Sequence, residues 1–178
     1  FDKTGTLTEG RPRVTDIVAG AGLTGDEVLT LAAGLESRSE HPLAGAVVAA
    51  ARTRGLAIAD PVRFEALDGF GVSGQVAGRT LVLGAPRYLD RLGIVRDPAL
   101  TARAESLARA GKSPIHLAID GRHAALLAVA DPVKAGAREA VAALKAQGLV
   151  VAMVTGDDPH TAAGVAKNLG IAEVAAGI

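Results

Sequence analysis

Apolar positions recur at helical spacing in three stretches of the first two thirds of the chain, each with its own punctuation. Thr24 followed by Glu27 makes a capping box, and Val28, Leu31, Ala32 and Leu35 then fall on one face. Pro42 suits the first position of a second helix, with Leu43, Ala46, Val47 and Ala50 as its apolar stripe and Gly55 as its stop. A third helix is predicted over Ala99–Ala110 and is closed by Gly111. Between the second and third helices the texture changes. From Arg63 to Leu83 short β-like runs are broken by Gly69, Gly71, Gly74 and Gly78. Two further strands are predicted near Ile115–Ile119 and Ala124–Val129, around the turn Asp120-Gly121.

After Asp131-Pro132 the pattern becomes α/β. A helix over Lys134–Gln147 is expected to bury Ala137, Ala140, Val141 and Leu144 and to end at Gly148. The apolar run Leu149–Val154 reads as a buried strand, followed by the loop Thr155-Gly156-Asp157 and a helix to Leu169. Asp158 fits the N-cap of that helix and Pro159 its first residue. Helix, buried strand, loop and helix are the grammar of an open parallel sheet. The polar breaks near Glu9–Pro12 and Asp131-Pro132 mark the expected boundaries, with residues 10–129 inserted into an α/β domain made of 1–9 and 130–178.

Composition narrows the function classes. The 178 residues carry 19 Lys+Arg and 19 Asp+Glu, so no net field draws the chain to nucleic acid or to an anionic membrane. With no cysteine, disulfides and thiolate metal sites are excluded. Aromatics are only 2% of residues, so the core must be built from Ala, Val and Leu. The longest apolar runs, Ala124–Ala130 and Leu149–Val154, fall far short of the roughly 20 residues that span a bilayer. Phe1 reads as the last residue of a strand, so the chain is expected to be a piece of something longer.

Three strings carry chemistry. In Asp2-Lys3-Thr4-Gly5-Thr6-Leu7-Thr8 a carboxylate nucleophile stands beside a cation and a run of turn residues. A carboxylate accepts a phosphoryl group only if the incoming charge is neutralised; Lys3 offers part of that charge and Mg²⁺ would have to supply the rest. Thr155-Gly156-Asp157 lies at the C-terminal end of the expected buried strand, where open α/β sheets place their ligands. In Ser39-Glu40-His41-Pro42 a histidine precedes a helix start, with Glu36 at the end of the helix before it. Gly69-Phe70-Gly71 adds backbone that can approach a flat base or a phosphate closely. Taken alone, each string is equally an ordinary turn or cap. His116, His123 and His160 are scattered and read as structural, and Asp131 with Lys134 reads as a turn before a helix.

Taken together, the strings resemble the P-type transport ATPases. Asp2 to Thr8 is similar to their phosphorylation motif, and Thr155-Gly156-Asp157 to the Thr-Gly-Asp motif they share with haloacid-dehalogenase relatives. Ser39-Glu40-His41-Pro42 resembles the signature of the heavy-metal (type IB) branch. The resemblance implies a divided haloacid-dehalogenase-like phosphorylation domain with a Rossmann-like parallel sheet, incomplete here, and an inserted nucleotide-binding domain of antiparallel sheet plus helices. It implies catalytic roles for Asp2, Lys3, Thr155 and Asp157, ATP contacts from Glu36, His41, Gly69, Gly71 and Gly84, and Mg²⁺ at the Asp2 carboxylate and the Thr4 carbonyl. Ala85 stands where the family usually has asparagine, and Lys134 where it often has arginine in a hinge motif. The implied setting is the cytoplasmic face of a membrane. The transported ion, copper favoured over zinc-group ions, would be handled by membrane helices outside this chain. A further Mg²⁺-binding loop is expected beyond Ile178, so the piece is expected to bind ATP without completing the cycle. The alternatives are a soluble haloacid-dehalogenase-type phosphatase with a cap domain, and a non-catalytic interaction module. Thr4 argues against the first, because such phosphatases carry a second aspartate at that position.

Overall fold

The computed structural model describes residues 1–157 and 159–177, so the expected Asp158 cap lies outside the described residues. The chain gathers into two units: Arg13–Ala104 with Pro114–Val129, and Phe1–Pro12 with Glu105–Ser113 and the residues from Ala130 on.

The first of these is built on a six-stranded sheet. Its strands are β1 (Arg13–Ala19), β2 (Val62–Leu67), β3 (Gly71–Val76), β4 (Arg79–Gly84), β5 (Ser113–Ile119) and β6 (Arg122–Ala130), in the order β1-β6-β5-β4-β3-β2. The β2–β3, β3–β4 and β4–β5 pairs are antiparallel. Helices α1 (Gly25–Glu36) and α2 (Ala44–Thr53) supply Val28, Leu29, Leu35 and Val47 to a core shared with Val72, Val76, Leu81, Leu83 and Leu127. Short α3 (Pro86–Arg91) packs Tyr88 and Leu89 on Val82 and Ala118, and α4 (Pro98–Arg109) sets Leu100 and Ala104 against Leu126. Ala125–Val129 is therefore buried throughout, which explains an apolar run without alternation. The capping box of α1 forms in both directions: Glu27 N donates to Thr24 Oγ1 (3.2 Å) and Thr24 N to Glu27 Oε2 (2.7 Å).

Helix α2 starts two residues later than its proline suggests. Ser39 Oγ accepts from His41 N (3.2 Å) and His41 Nδ1 from Leu43 N (3.2 Å), so side chains satisfy the early N–H groups and Pro42 stays in the preceding turn. Three elements have no counterpart in the sequence analysis: β1, the six-residue α3, and the strand Glu173–Ala176.

The second unit holds α5 (Ala137–Ala146), β7 (Ala152–Thr155), α6 (Pro159–Leu169) and β8 (Glu173–Ala176). Strands β7 and β8 are parallel, and Asp2 pairs with Val154 in the same sense. Their core joins Leu7, Val141, Met153, Ala162, Val165 and Leu169. Helix α5 begins at Ala137 and not at Lys134, because Val133 bridges to Thr8 and Lys134 N donates to the Leu7 carbonyl (2.9 Å). Ala137, Val141 and Leu144 form its inward stripe, which leaves Ala140 exposed, contrary to expectation. The strand also starts late. Leu149 and Val150 are exposed, Val150 at 81%, because the chain leaves α5 through a turn at Gly148 and reaches the sheet only near Val151. Among the described residues no helix is long and apolar enough to cross a membrane.

Candidate functional site

In the α/β unit, backbone pairing brings the two ends of the chain to one spot. Val154 N donates to the Phe1 carbonyl (2.8 Å), and the Asp2–Val154 bridge sets Asp2 and Lys3 at the strand end that also carries Thr155. Lys3 is 7% exposed and its Nζ is ion-paired with Asp157 Oδ2, so the half-buried Asp157 carboxylate offsets the buried Lys3 ammonium. Asp157 N donates to Thr155 Oγ1 (3.2 Å), and the Asp157 carbonyl accepts from Gly177 N (3.0 Å). Thr155 is buried, whereas Asp2 is exposed. The sequence-derived residues Asp2, Lys3, Thr155 and Asp157 are thus neighbours, with an exposed carboxylate at Asp2 and a buried cation at Lys3.

Lys3–Leu7 is a wide turn in which Thr4 (φ −74°, ψ 123°) and Gly5 (φ 77°) are not helical, and Thr8 N closes it on the Lys3 carbonyl (3.1 Å). Its shape is held by two residues that the sequence reading treated as a turn. Asp131 accepts from Thr8 Oγ1 (2.5 Å), Gly10 N (3.1 Å) and Arg11 N (2.9 Å), and Lys134 Nζ donates to the Gly5 carbonyl (2.5 Å). Asp131 is separated from Thr8 by 123 residues, so only the resemblance to a hinge motif could have pointed to it.

The sheet unit carries the other candidates. A Cβ on Gly34 of α1 would meet Val76 of β3, and the Leu35 side chain reaches Gly74 of the same strand, so the last turn of the helix, which carries Glu36, packs on β3. Glu36 is 6% exposed, and burial pushes its carboxyl above the usual carboxylate range, a shift partly offset by a hydrogen bond from Ser39. Its Oε2 has no hydrogen-bond partner. A buried carboxylate oxygen left in this state costs free energy unless a donor arrives. His41 is exposed; because Nδ1 accepts from Leu43 N, the ring proton belongs on Nε2, which makes it a donor. No described hydrogen bond links Glu36 or His41 to the glycine loop.

Gly71 and Gly84 are directly paired across β3 and β4. A Cβ on Gly71 would meet the Leu83 carbonyl oxygen at 2.2 Å, and one on Gly84 would meet the Phe70 oxygen at 2.2 Å. Both positions therefore demand glycine for strand approach alone, whatever else they bind.

The fold also pairs two histidines that looked scattered. His116 Nδ1 and His123 Nε2 are 3.1 Å apart across the β5–β6 hairpin, and His123 Nδ1 accepts from Asp97 N (3.1 Å). Burial lowers both, His116 to about 4. Their structural reading stands, and their isolation does not. Among the described residues no three His, Cys, Asp or Glu side chains gather into a metal cluster.

The chain is 52% identical over 176 residues to the copper-transporting ATPase 2 of Rhizobium meliloti (strain 1021), covering 99% of this chain and 21% of that protein. A crystal structure of a zinc-transporting PIB-type ATPase in its E2.Pi state superposes with a TM-score of 0.79 at 36% identity, covering 100% of this chain and 28% of that one. The catalytic domain of the CPx-ATPase CopB-B, from work on its conformational changes upon nucleotide binding, has a TM-score of 0.68 at 25% identity over 100% of this chain and 60% of that one. The chain thus spans about a fifth of the curated relative. The model of haloacid dehalogenase-like hydrolases matches residues 1–178, and the chain belongs to that family.

Proposed function

We propose that this chain is the ATP-binding and aspartyl-phosphorylation region of a heavy-metal-transporting P-type ATPase, with copper as the exported ion. The observation that carries the reading is the exposed Asp2 held beside the buried Lys3, its ion-pair partner Asp157, and Thr155. In this account the Asp2 carboxylate attacks the γ-phosphorus of ATP in line, the bond to the bridging oxygen breaks, and ADP leaves. Lys3 Nζ and the Thr155 hydroxyl attract the phosphoryl oxygens, and Asp157 holds Lys3 in place through their ion pair. Asp131 and Lys134 hold the loop that follows, so that the nucleophile does not drift.

The donors near Asp2 fit Mg²⁺. The Asp2 carboxylate and the Thr4 carbonyl are hard oxygens, and Mg²⁺ takes one or two protein oxygens while keeping waters and substrate phosphates. Bound there, it would neutralise charge on the transferring phosphoryl group.

The sheet unit reads as the nucleotide-binding domain, inserted between the segments of the phosphorylation domain. Glu36 Oε2 offers an acceptor for the exocyclic amine of adenine, and His41 Nε2–H a donor or stacking edge beside it. Gly69, Gly71 and Gly84 supply backbone without side chains for the ligand to approach. In this reading the chain lies on the cytoplasmic face of a membrane, with the metal carried by other parts of the pump. The test is phosphoenzyme formation by the whole pump. Acid-stable label from γ-labelled ATP is expected on Asp2 and absent in Asp2→Asn; label that persists in that variant would contradict the assignment.

A further inference from the structure

We propose that Arg87 is a positioning residue that fixes the loop Gly69-Phe70-Gly71 in the shape that receives ATP, an inference that rests on the nucleotide reading above. Gly69 (φ 73°) and Gly71 (φ 144°) both adopt backbone that favours glycine, so the intervening peptides have little intrinsic preference to keep one orientation. Their orientation is imposed from outside. The Phe70 carbonyl accepts from Ala85 N (2.8 Å), at the entrance to α3. The Gly69 carbonyl accepts from Arg87 Nε (2.8 Å) and also from its second guanidinium nitrogen, Nη2. The same guanidinium lies 5.3 Å from the Phe70 ring centroid, and Arg91, one turn further along α3, lies 5.1 Å from it. Tyr88 meets the ring edge-on at 6.1 Å between centroids and is itself buried.

One short helix therefore grips the loop by two carbonyls and one ring, and Arg87 supplies both a carbonyl contact and a ring contact. A fork of two N–H donors on one carbonyl defines the peptide plane in a way that a single ammonium does not. Gly69 has a matching constraint: a Cβ there would come within 3.3 Å of Arg87 Nη2. In consequence, loss of Arg87 frees the Gly69–Phe70 peptide to rotate. The ligand must then order the loop when it binds, which weakens affinity without removing any direct contact.

The test is an ATP titration of the 178-residue chain, followed by amide NMR, for wild type, Arg87→Ala, Arg87→Lys and the control Arg79→Ala, whose arginine pairs with Asp120 at a distant turn. Arg87→Ala is expected to raise Kd about tenfold, the scale of one charge-assisted hydrogen bond, and to broaden the Gly69 and Gly71 amides before any ATP is added. Arg87→Lys keeps the charge and most of the stem, so it serves if the alanine variant folds poorly; it is expected to rescue less than half of the loss. Arg79→Ala is expected to bind as wild type does. Wild-type affinity in Arg87→Ala, full rescue by lysine, or weakened binding with unchanged loop amides would each overturn the positioning role while leaving ATP binding intact. A folded wild type that gives no shifts with ATP would overturn the nucleotide reading itself, and this role with it.

Discussion

The two candidate sites handle buried charge in opposite ways. Around Asp2, the buried cation of Lys3 is matched by Asp157, and the neighbouring loop is tied down by Asp131 and Lys134. Around Glu36, a nearly buried carboxylate is left with Oε2 unpartnered, at the end of a helix that could have finished with an apolar residue. In the first arrangement Asp157 Oδ2 has its counter-charge in Lys3, and under the proposed function that pair steadies the loop of Asp2 for in-line transfer. The second is incomplete, and a ligand that brings a donor would complete it. Under the proposed function the two sites trade stability and binding differently: the first is stabilised by its own ion pair, while the second carries a cost that a bound base would relieve.

The largest effect expected on either side comes from backbone approach. Gly84→Val should destabilise the sheet unit by at least about 4 kcal/mol, or prevent folding, since even its Cβ would overlap the Phe70 carbonyl. A urea melt of the purified chain would show this, and a loss below about 1 kcal/mol would mean that the strands can separate freely.

The ion pair comes next. Lys3→Met leaves Asp157 without its counter-charge and should cost about 2 kcal/mol, less than a fully buried pair because the Asp157 side chain is 27% exposed. Adding Asp157→Asn should recover at least half of that loss. A double-mutant cycle with no coupling would show that the pair does not hold the loop.

Glu36→Gln should act in the opposite sense. Removing the buried charge is expected to raise stability by up to about 1 kcal/mol while ATP affinity falls about tenfold. If melting and calorimetric titration of the variant show both quantities falling together, the carboxylate contributes to the fold and the contrast between the two sites is lost.

Acidity separates the regions more gently. The Glu36 carboxyl is raised, so its charge is lost as pH falls through that raised value, and ATP affinity should decline there on a titration at constant ionic strength. The His116 imidazole is depressed to about 4, so the folded state resists a proton that the unfolded chain accepts. Its contribution to stability is present above the unfolded value near 6.5 and is lost as pH falls toward 4, amounting to at most about 3 kcal/mol. His116→Gln should flatten the melting profile across that window, with little change above pH 7.

What the sequence revealed follows the range of the forces involved. The capping box at Thr24–Glu27, the stripe of α1, the glycine stop of α4 and the β5–β6 turn are local, so periodicity and turn chemistry located them. The α2 start was misjudged because the Ser39 and His41 side chains took early N–H groups, and no stripe of apolar residues records such a choice. Leu149 and Val150 look like buried strand in the sequence because an apolar run cannot tell a core strand from its exposed approach. The same limit applied to the sites. Asp2, Lys3, Thr155 and Asp157 were legible as motifs, but the Lys3–Asp157 pairing spans most of the chain and came only with the fold. The Asp131 clamp and the His116–His123 pair depended on tertiary placement. Arg87 lay on a helix too short to announce itself.

The most direct test of the nucleotide site is an ATP titration of this chain followed by amide NMR, with Glu36→Ala and His41→Gln alongside. The account predicts shifts centred on Glu36, His41, Gly69 and Gly71 that are weakened in both variants. A folded wild type without such shifts, or with shifts that both variants leave unchanged, would contradict it.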